Sequence, residues 1–348
     1  MTANWAKGRR IVLRRHPEHE LQPSDFDFED QETLTPGQNQ FLVRNLFISV
    51  DPMLRLLVDA APLGGLLPSL SLPLGATIPG PAVGEIIESR LESFAVGDLV
   101  EGRFGWQDYA LSDGAGVHRI SKALGAPENA LGIGGLPGFT AYIGLNVAGG
   151  VKPGQNFLVS GAAGAVGSVA GPLIRARGGR AVGIVSGKAK QRYLVEQAGY
   201  AAAADRTAPD FLEQLREALP QGADVYFDNV GGPMLAAVVP YLARGALVLI
   251  SGLMAQYQGG MAEARTDNLP AVLHAVMARG IRIQSFTQFG QDAQRPAFET
   301  EIAALLAGGL IKPELHIEDG LELLPQAMCG LFKNSVPGKV IVRTQNRI

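Results

Sequence analysis

Gln155-Asn156-Phe157-Leu158-Val159-Ser160-Gly161-Ala162-Ala163-Gly164-Ala165-Val166-Gly167 is the stretch whose reading decides the fold. Phe157-Leu158-Val159 is a short apolar run suited to a strand buried on both faces. Gly161, Gly164 and Gly167 follow at three-residue spacing, where a strand must turn sharply into a helix. Glycines so placed permit a tight turn, close approach of backbone to a diphosphate, and close contact between helix and sheet. N–H groups at the start of the new helix would point at the phosphates, and the helix dipole favours their charge. A glycine triplet alone is weak, since a glycine-rich turn in an α/β protein can bind nothing. Here a small-residue helix follows, and a second apolar run, Ala181 to Val185, closes a βαβ unit. Pro172 falls inside the expected helix, where it removes a hydrogen bond and is expected to kink the axis.

Downstream the pattern alternates. Gly187 to Ala198 reads as a helix, Asp224 to Val230 as a strand, Gly232 to Leu242 as a helix and Ala246 to Ser251 as a strand. Leu269 to Arg279 is a helix, Ile281 to Phe289 a strand and Pro296 to Ala307 a helix. Such alternation predicts a doubly wound parallel sheet of the Rossmann type. Loops at the carboxyl ends of its strands, beginning near Ser160, Val185, Asn229, Ser251 and Phe289, are expected to line a cleft.

Upstream the chain is β-rich. Ile11-Val12-Leu13, Phe41-Leu42-Val43 and Leu46 to Val50 read as strands, and the acidic segment Asp25 to Pro36 as a surface loop. Val83 to Ile87, Asp98 to Arg103, Trp106 to Ser112 and Val117 to Ile120 add short strands, which suggests a partly closed barrel-like domain. Ala60 to Gly84 carries no charge and is dense in Leu, Pro and Gly. It suits either a loop packed on the core or a mobile apolar wall of a cleft. The expected division is therefore a β-rich catalytic domain over 1–126, a nucleotide-binding domain over 127–311, and a return to the first domain over 312–348. A helix begins in Gly135-Leu136-Pro137-Gly138-Phe139-Thr140-Ala141-Tyr142.

Composition narrows the function. The 348 residues are 47% hydrophobic and 18% charged, with a net charge of −3, so no basic surplus points to nucleic acid. No apolar run approaches membrane-spanning length, and Lys7 to Arg15 leads into Pro17 and acidic residues rather than a signal-peptide core. Cys329 is the only cysteine, which excludes an internal disulfide and fits a reducing, cytoplasmic location. His16, His19, His118, His274 and His316 form no Cys/His/Glu grouping of metal-ligand spacing, so no metal is expected.

NAD-specific folds usually place an acid at the end of the second strand, for the ribose 2′-hydroxyl. Here that strand ends Val185-Ser186-Gly187, and Lys188, Lys190 and Arg192 crowd the next helix. Cations at a helix N-terminus oppose the dipole, and a bound anion reverses that penalty. The cluster is either a solvated basic face or the seat of the 2′-phosphate of NADP; the missing acid favours NADP.

These motifs resemble the zinc-independent branch of the medium-chain dehydrogenase/reductase superfamily, and within it the NADPH-dependent double-bond reductases. Val159 to Gly167, Tyr226-Phe227-Asp228-Asn229-Val230-Gly231-Gly232, Leu136 to Tyr142, Ser251-Gly252-Leu253 with Tyr257, and Gly338-Lys339 carry the resemblance, which covers nearly the whole chain. It implies hydride transfer from NADPH to the β-carbon of an enone or enal, with the enolate protonated at the α-carbon. It also implies that Lys190 meets the 2′-phosphate, Asn229 lies near the cofactor, and Ser251 to Tyr257 runs along the nicotinamide half. The cofactor set so expected is Gly161, Ala163, Gly164, Ala165, Val166, Gly167, Ser186, Lys190, Arg206, Asn229, Ser251, Gly252, Phe286 and Val336. Three departures stand out. Met53 replaces a family tyrosine in Asp51-Pro52-Met53-Leu54-Arg55, Arg206 stands where a tyrosine is expected, and Val336 replaces an asparagine. Two of these make the pocket side more apolar.

Tyr257 is the expected catalytic residue, placed by the resemblance near the reacting carbonyl. Reduction puts negative charge on the carbonyl oxygen, and a phenol, protonated at neutral pH with an ordinary pKa of about 10, suits that position. The ring could instead only pack, with ribose hydroxyls or water supplying the proton. An apolar small-molecule enone or enal is the expected substrate and a homodimer the expected assembly. An NADPH:quinone reductase and a non-catalytic NADPH-binding protein are the other readings.

Overall fold

In the first strand the apolar run Ile11-Val12-Leu13 is buried throughout. The structure is a computed structural model that describes residues 7–62, 68–257, 268–333 and 336–344. β1 (Gly8–Leu13) pairs antiparallel with β2 (Phe26–Gln31). β2 lies inside the acidic segment expected to be a loop. Its ends, Phe26 and Gln31, are buried, while Asp27, Glu29 and Asp30 point to solvent. Arg10 Nη2 meets Glu29 across the pair at 2.7 Å. The other side of β1 is bridged by Gln107 and Thr77, so the exposed charge falls on β2.

β3 (Phe41–Ser49) joins the two strands expected at 41–43 and 46–50 into one. The polar break at Arg44-Asn45 is not a turn: Asn45 is buried, and its side-chain amide donates to the Gln107 carbonyl at 2.8 Å. β4 (Ala82–Ser89), β5 (Leu99–Gly102), β6 (Tyr109–Ser112) and β7 (His118–Arg119) extend this antiparallel sheet. Within Ala60 to Gly84, Leu72 and Ile78 pack on the core whereas Leu70 and Leu74 are exposed, and residues 63–67 lie outside the described residues.

β8 (Asn156–Val159), β9 (Arg180–Val185), β10 (Ala202–Asp205), β11 (Ala223–Asp228), β12 (Leu242–Ile250) and β13 (Arg282–Ser285) form a second sheet. All its pairings are parallel, in the order β10-β9-β8-β11-β12-β13. Both faces are covered, as a parallel sheet requires. Phe157, Val159, Phe227 and Leu249 pack on one side with the helices Leu136–Val147, Gly167–Ala176 and Arg295–Ala307. Leu158, Ile184, Tyr226 and Val248 pack on the other with Phe211–Ala218, Pro233–Val238 and Leu269–Arg279. β13 is shorter than expected, because Phe286 leaves the strand line and turns its ring onto Phe227.

The helix Gly167–Ala176 runs through Pro172. Its first turn has an outside anchor: the buried Tyr200 hydroxyl donates to the Gly167 carbonyl at 2.7 Å. β14 (Leu315–Asp319) and β15 (Lys339–Arg343) return to the antiparallel sheet, whose order is β14-β15-β3-β4-β5-β7 with β6 added on β3. Ala130 and Leu131 pack with Phe47, Val83 and Ile341 of this sheet, whereas Ile133 and Phe139 join the core of the parallel one.

Candidate active site

The turn after β8 is built on close approach. A Cβ at Gly167 would sit 2.5 Å from the Ala162 backbone, so only glycine lets the helix start against the strand end. Gly161 adopts φ +58°, in the left-handed region. A Cβ at Gly164 would meet only the Gly161 carbonyl, at 3.2 Å, so this side of the turn stays open. Ala163, Ala165 and Val166 lie on the same turn, ahead of the helix Gly167–Ala176. The Ser168 and Val169 N–H groups already donate to the Gly164 and Val166 carbonyls, at 2.8 and 3.1 Å, so what suits the turn to a diphosphate is its open glycine face at the positive end of the helix dipole.

Asp228, at the end of β11, organises the neighbouring turn. It is fully buried, and its Oδ1 accepts from Ser160 Oγ (2.7 Å), the Tyr226 hydroxyl (2.9 Å) and the N–H groups of Val230 and Gly231 (both 3.0 Å). Burial, and then the charge of Asp228, push the Tyr226 phenol well above its ordinary pKa. Ser160 Oγ in turn accepts the Asn229 N–H at 2.9 Å, and Asn229 Nδ2 donates to the Ser160 carbonyl at 2.8 Å. Asn229 is thereby held directly beside the glycine turn.

The loop after β12 is tied to the same place. Ser251 and Gly252 donate their N–H groups to the Asp228 carbonyl at 2.8 and 3.1 Å, and Ala255 donates to Val230 at 3.0 Å. Tyr257 follows the short turn Met254–Gln256 and is half-buried. Its hydroxyl accepts the Leu253 N–H at 3.4 Å, a long contact, which leaves the hydroxyl proton to be donated.

A second corner lies at the ends of β9 and β10. Arg206 Nε donates to Ser186 Oγ at 2.7 Å. Lys190 is half-buried, while Lys188 and Arg192 point to solvent. Burial, followed by the nearby Arg206 guanidinium, lowers the Lys190 pKa. Two cations gathered at one corner oppose each other, and an anion placed there relieves the repulsion. Asp205, on the end of β10, is engaged by its own loop. Its Oδ1 accepts the Gly187 N–H (2.8 Å), the Thr207 N–H (3.0 Å) and the Thr207 hydroxyl (2.7 Å). Burial raises its pKa, but these hydrogen bonds and the Arg206 charge together outweigh burial and hold the carboxyl below the ordinary value. A Cβ at Gly187 would meet nothing within 4 Å, so the corner has room for a phosphate.

Thus Gly161, Ala163, Gly164, Ala165, Val166, Gly167, Asn229, Ser251, Gly252 and Tyr257 gather at the carboxyl ends of β8, β11 and β12. Ser186, Lys190 and Arg206 gather beside them, at the ends of β9 and β10. Phe286 and Val336 turn their side chains elsewhere. The Phe286 ring packs edge-on to Phe227 at 5.9 Å, and Val336 packs against the core of the antiparallel sheet. Asn334 and Ser335 lie outside the described residues. Sequence reasoning assigned no role to Asp205 or Asp228. An acid on each side of the crevice, at the end of an apolar run, was the visible signal.

Residues 9–120 match the family described as "N-terminal domain of oxidoreductase", and residues 165–304 the one described as "Zinc-binding dehydrogenase". Among the described residues no three or more His, Cys, Asp or Glu are grouped to hold a metal ion. The chain is 35% identical over 340 residues to the NADPH-dependent curcumin reductase of Escherichia coli, covering 97% of each. It is 32% identical over 342 residues to mouse prostaglandin reductase 1, covering 95% of this chain and 98% of the relative. The crystal structure of CurA from Vibrio vulnificus in complex with NADPH superimposes with a TM-score of 0.88 at 33% identity, covering 97% of this chain and 100% of CurA. Related along almost its whole length to these proteins, the chain belongs to the zinc-independent medium-chain dehydrogenase/reductase family, in the branch of the curcumin and prostaglandin reductases.

Proposed function

We propose that this protein is an NADPH-dependent reductase of the C=C bond of α,β-unsaturated carbonyl compounds, with an apolar substrate. The observation that carries the reading is the convergence of the glycine turn, the Ser186–Lys190–Arg206 corner and Tyr257 on one edge of the parallel sheet. Bound NADPH supplies a hydride to the β-carbon, and a proton at the α-carbon completes the saturated carbonyl. The chain's own residues position and stabilise. The open face of the glycine turn, at the positive end of the Gly167–Ala176 dipole, takes the diphosphate. Lys190 and Arg206, with Ser186, take the 2′-phosphate through charge-assisted hydrogen bonds. The Tyr257 hydroxyl donates to the carbonyl oxygen, where negative charge grows as the β-carbon is reduced. The division 1–126, 127–311 and 312–348 is our domain proposal, with Ala130 and Leu131 leaning back on the antiparallel sheet.

The test is NADPH oxidation against a panel of enals, enones and quinones. Enals and enones are expected to be reduced, with activity unchanged after prolonged treatment with a strong chelator. Turnover of quinones alone would replace this reading by a quinone reductase, and no turnover of any member would leave only a nucleotide-binding protein.

We infer that the protein works as a homodimer. Arg282 to Ser285 form an exposed edge of the parallel sheet. Leu269, Leu273 and Met277, at four-residue spacing on the adjoining helix, are exposed together with Ile283 and Phe289. An unpaired edge beside an apolar helix face suits a second copy related by a two-fold axis. Light scattering is expected to give twice the chain mass for the wild type and a monomer for Met277→Glu with Ile283→Lys. A monomeric wild type would refute the assembly. A cytoplasmic location is proposed on the single cysteine. Among the described residues no helix is long and apolar enough to cross a membrane.

A further inference from the structure

One buried ion pair lies in the antiparallel sheet, next to the residue that meets the glycine turn. Lys339 opens β15, and Asp51 lies just beyond β3, the strand beside it. Lys339 Nζ donates to Asp51 Oδ1 at 2.7 Å and to the Val50 carbonyl at 2.6 Å. The two side chains are only 3% and 11% exposed. Asp51 Oδ2 accepts from Ser49 Oγ at 2.5 Å, so both carboxylate oxygens are engaged. A pair desolvated to this degree returns little net stability over apolar residues of the same shape, and its best-attested use is to fix a register.

The register being fixed is that of the preceding residue. Gly338 donates its N–H to the Ala163 carbonyl at 2.7 Å and forms an isolated parallel bridge with Gly164. This places the antiparallel half of the molecule directly on the glycine turn. Gly338 is at φ +80°, and a Cβ there would lie 2.3 Å from the Glu314 carbonyl oxygen. Lys339 donates its own N–H to that same Glu314 carbonyl at 2.9 Å. On the other side, Val336 is packed against the antiparallel core. The segment Val336–Gly338 is therefore clamped at both ends, and Gly338 is where it meets the turn.

We propose that the Lys339–Asp51 pair is a positioning device for the cofactor: it sets Gly338 against Ala163 and so holds the Gly161–Gly167 turn in its binding shape. The inference rests on the reading of that turn as the NADPH site. Neither side chain touches the reacting atoms. Loosening the pair lets the turn relax before the nucleotide arrives, so ordering it is charged to binding. The effect belongs on the affinity for NADPH and not on the chemical step.

The test compares two variants in the full chain. Lys339→Met with Asp51→Asn removes both charges together, strands neither, and leaves an amide oxygen for Ser49. Gly338→Ala disturbs the same junction from its other end without touching the ion pair. In each, direct fluorescence titration is expected to show NADPH binding weakened about tenfold, with kcat within about threefold of wild type. A purely structural pair would lower the melting temperature and leave the NADPH affinity of the folded protein unchanged. That result in both variants overturns the proposal, and if the double variant does not fold, Gly338→Ala decides alone. The titration needs no substrate. A wild type that fails to bind NADPH would instead refute the functional reading, and the positioning role with it.

Discussion

Tyr257→Phe is expected to lower kcat by roughly a hundredfold or more, the range for a positioned acid. Reduction of a conjugated double bond moves electron density onto the carbonyl oxygen, so a donor there stabilises the transition state more than the ground state. The Tyr257 hydroxyl already accepts the Leu253 N–H, and among the described residues it has no other hydrogen bond. Its proton is therefore available to a substrate oxygen. The loop carrying it is fastened to Asp228 and Val230 through Ser251, Gly252 and Ala255, so the ring is carried by a held segment rather than a free one. Removing one oxygen leaves the ring to pack as before, and KM for NADPH is expected to change by less than about twofold. Steady-state kinetics with the best enone from the panel checks this. Near wild-type turnover by Tyr257→Phe would show that the ring only packs, and that ribose hydroxyls or water supply the proton.

NADPH is expected to be preferred to NADH by about ten- to a hundredfold in kcat/KM. A charge-assisted hydrogen bond contributes about 1.5–3 kcal/mol, and about 1.4 kcal/mol is one decade. Lys190 and Arg206 are brought to the same corner, where the Arg206 charge lowers the Lys190 pKa. A 2′-phosphate would satisfy both, and the 2′-hydroxyl of NADH neither. Lys190→Ala is expected to erode the preference mainly by raising KM for NADPH, and Arg206→Ala to do the same. Because the two residues share one ligand, the double variant should lose less than the sum of the single losses. Equal kcat/KM for the two cofactors in the wild type would instead make these side chains a solvated basic face.

The parallel half of the fold was legible because its signals are local. Apolar runs of strand length, glycines at three-residue spacing and regular alternation with helices lie within short windows, from Phe157 to Val185 and on to Ala307. The absence of an acid after Val185 and the presence of Lys190 are equally local, so the NADP reading needed no coordinates. The acidic strand Phe26–Gln31 was not legible, since charge normally marks a loop and only its pairing with β1 makes it a strand.

Side-chain direction was the other thing sequence could not supply. That the Phe286 ring lies edge-on to Phe227, and that Val336 packs on the antiparallel core, is read only from the structure. Asp205 and Asp228 look alike in sequence, yet one holds the Gly187 turn and the other joins Ser160, Tyr226, Val230 and Gly231. By itself, then, the sequence determined the doubly wound sheet, the glycine turn and the basic corner, because periodicity and residue chemistry over a few neighbours suffice for these. Only the tertiary structure decided that Lys339 and Asp51 meet beside the paired strands β15 and β3, that Gly338 lies on Ala163 where the two sheets pack, and that the loop carrying Tyr257 is bound to Asp228, because strand pairing and sheet packing join residues that no short window of sequence relates.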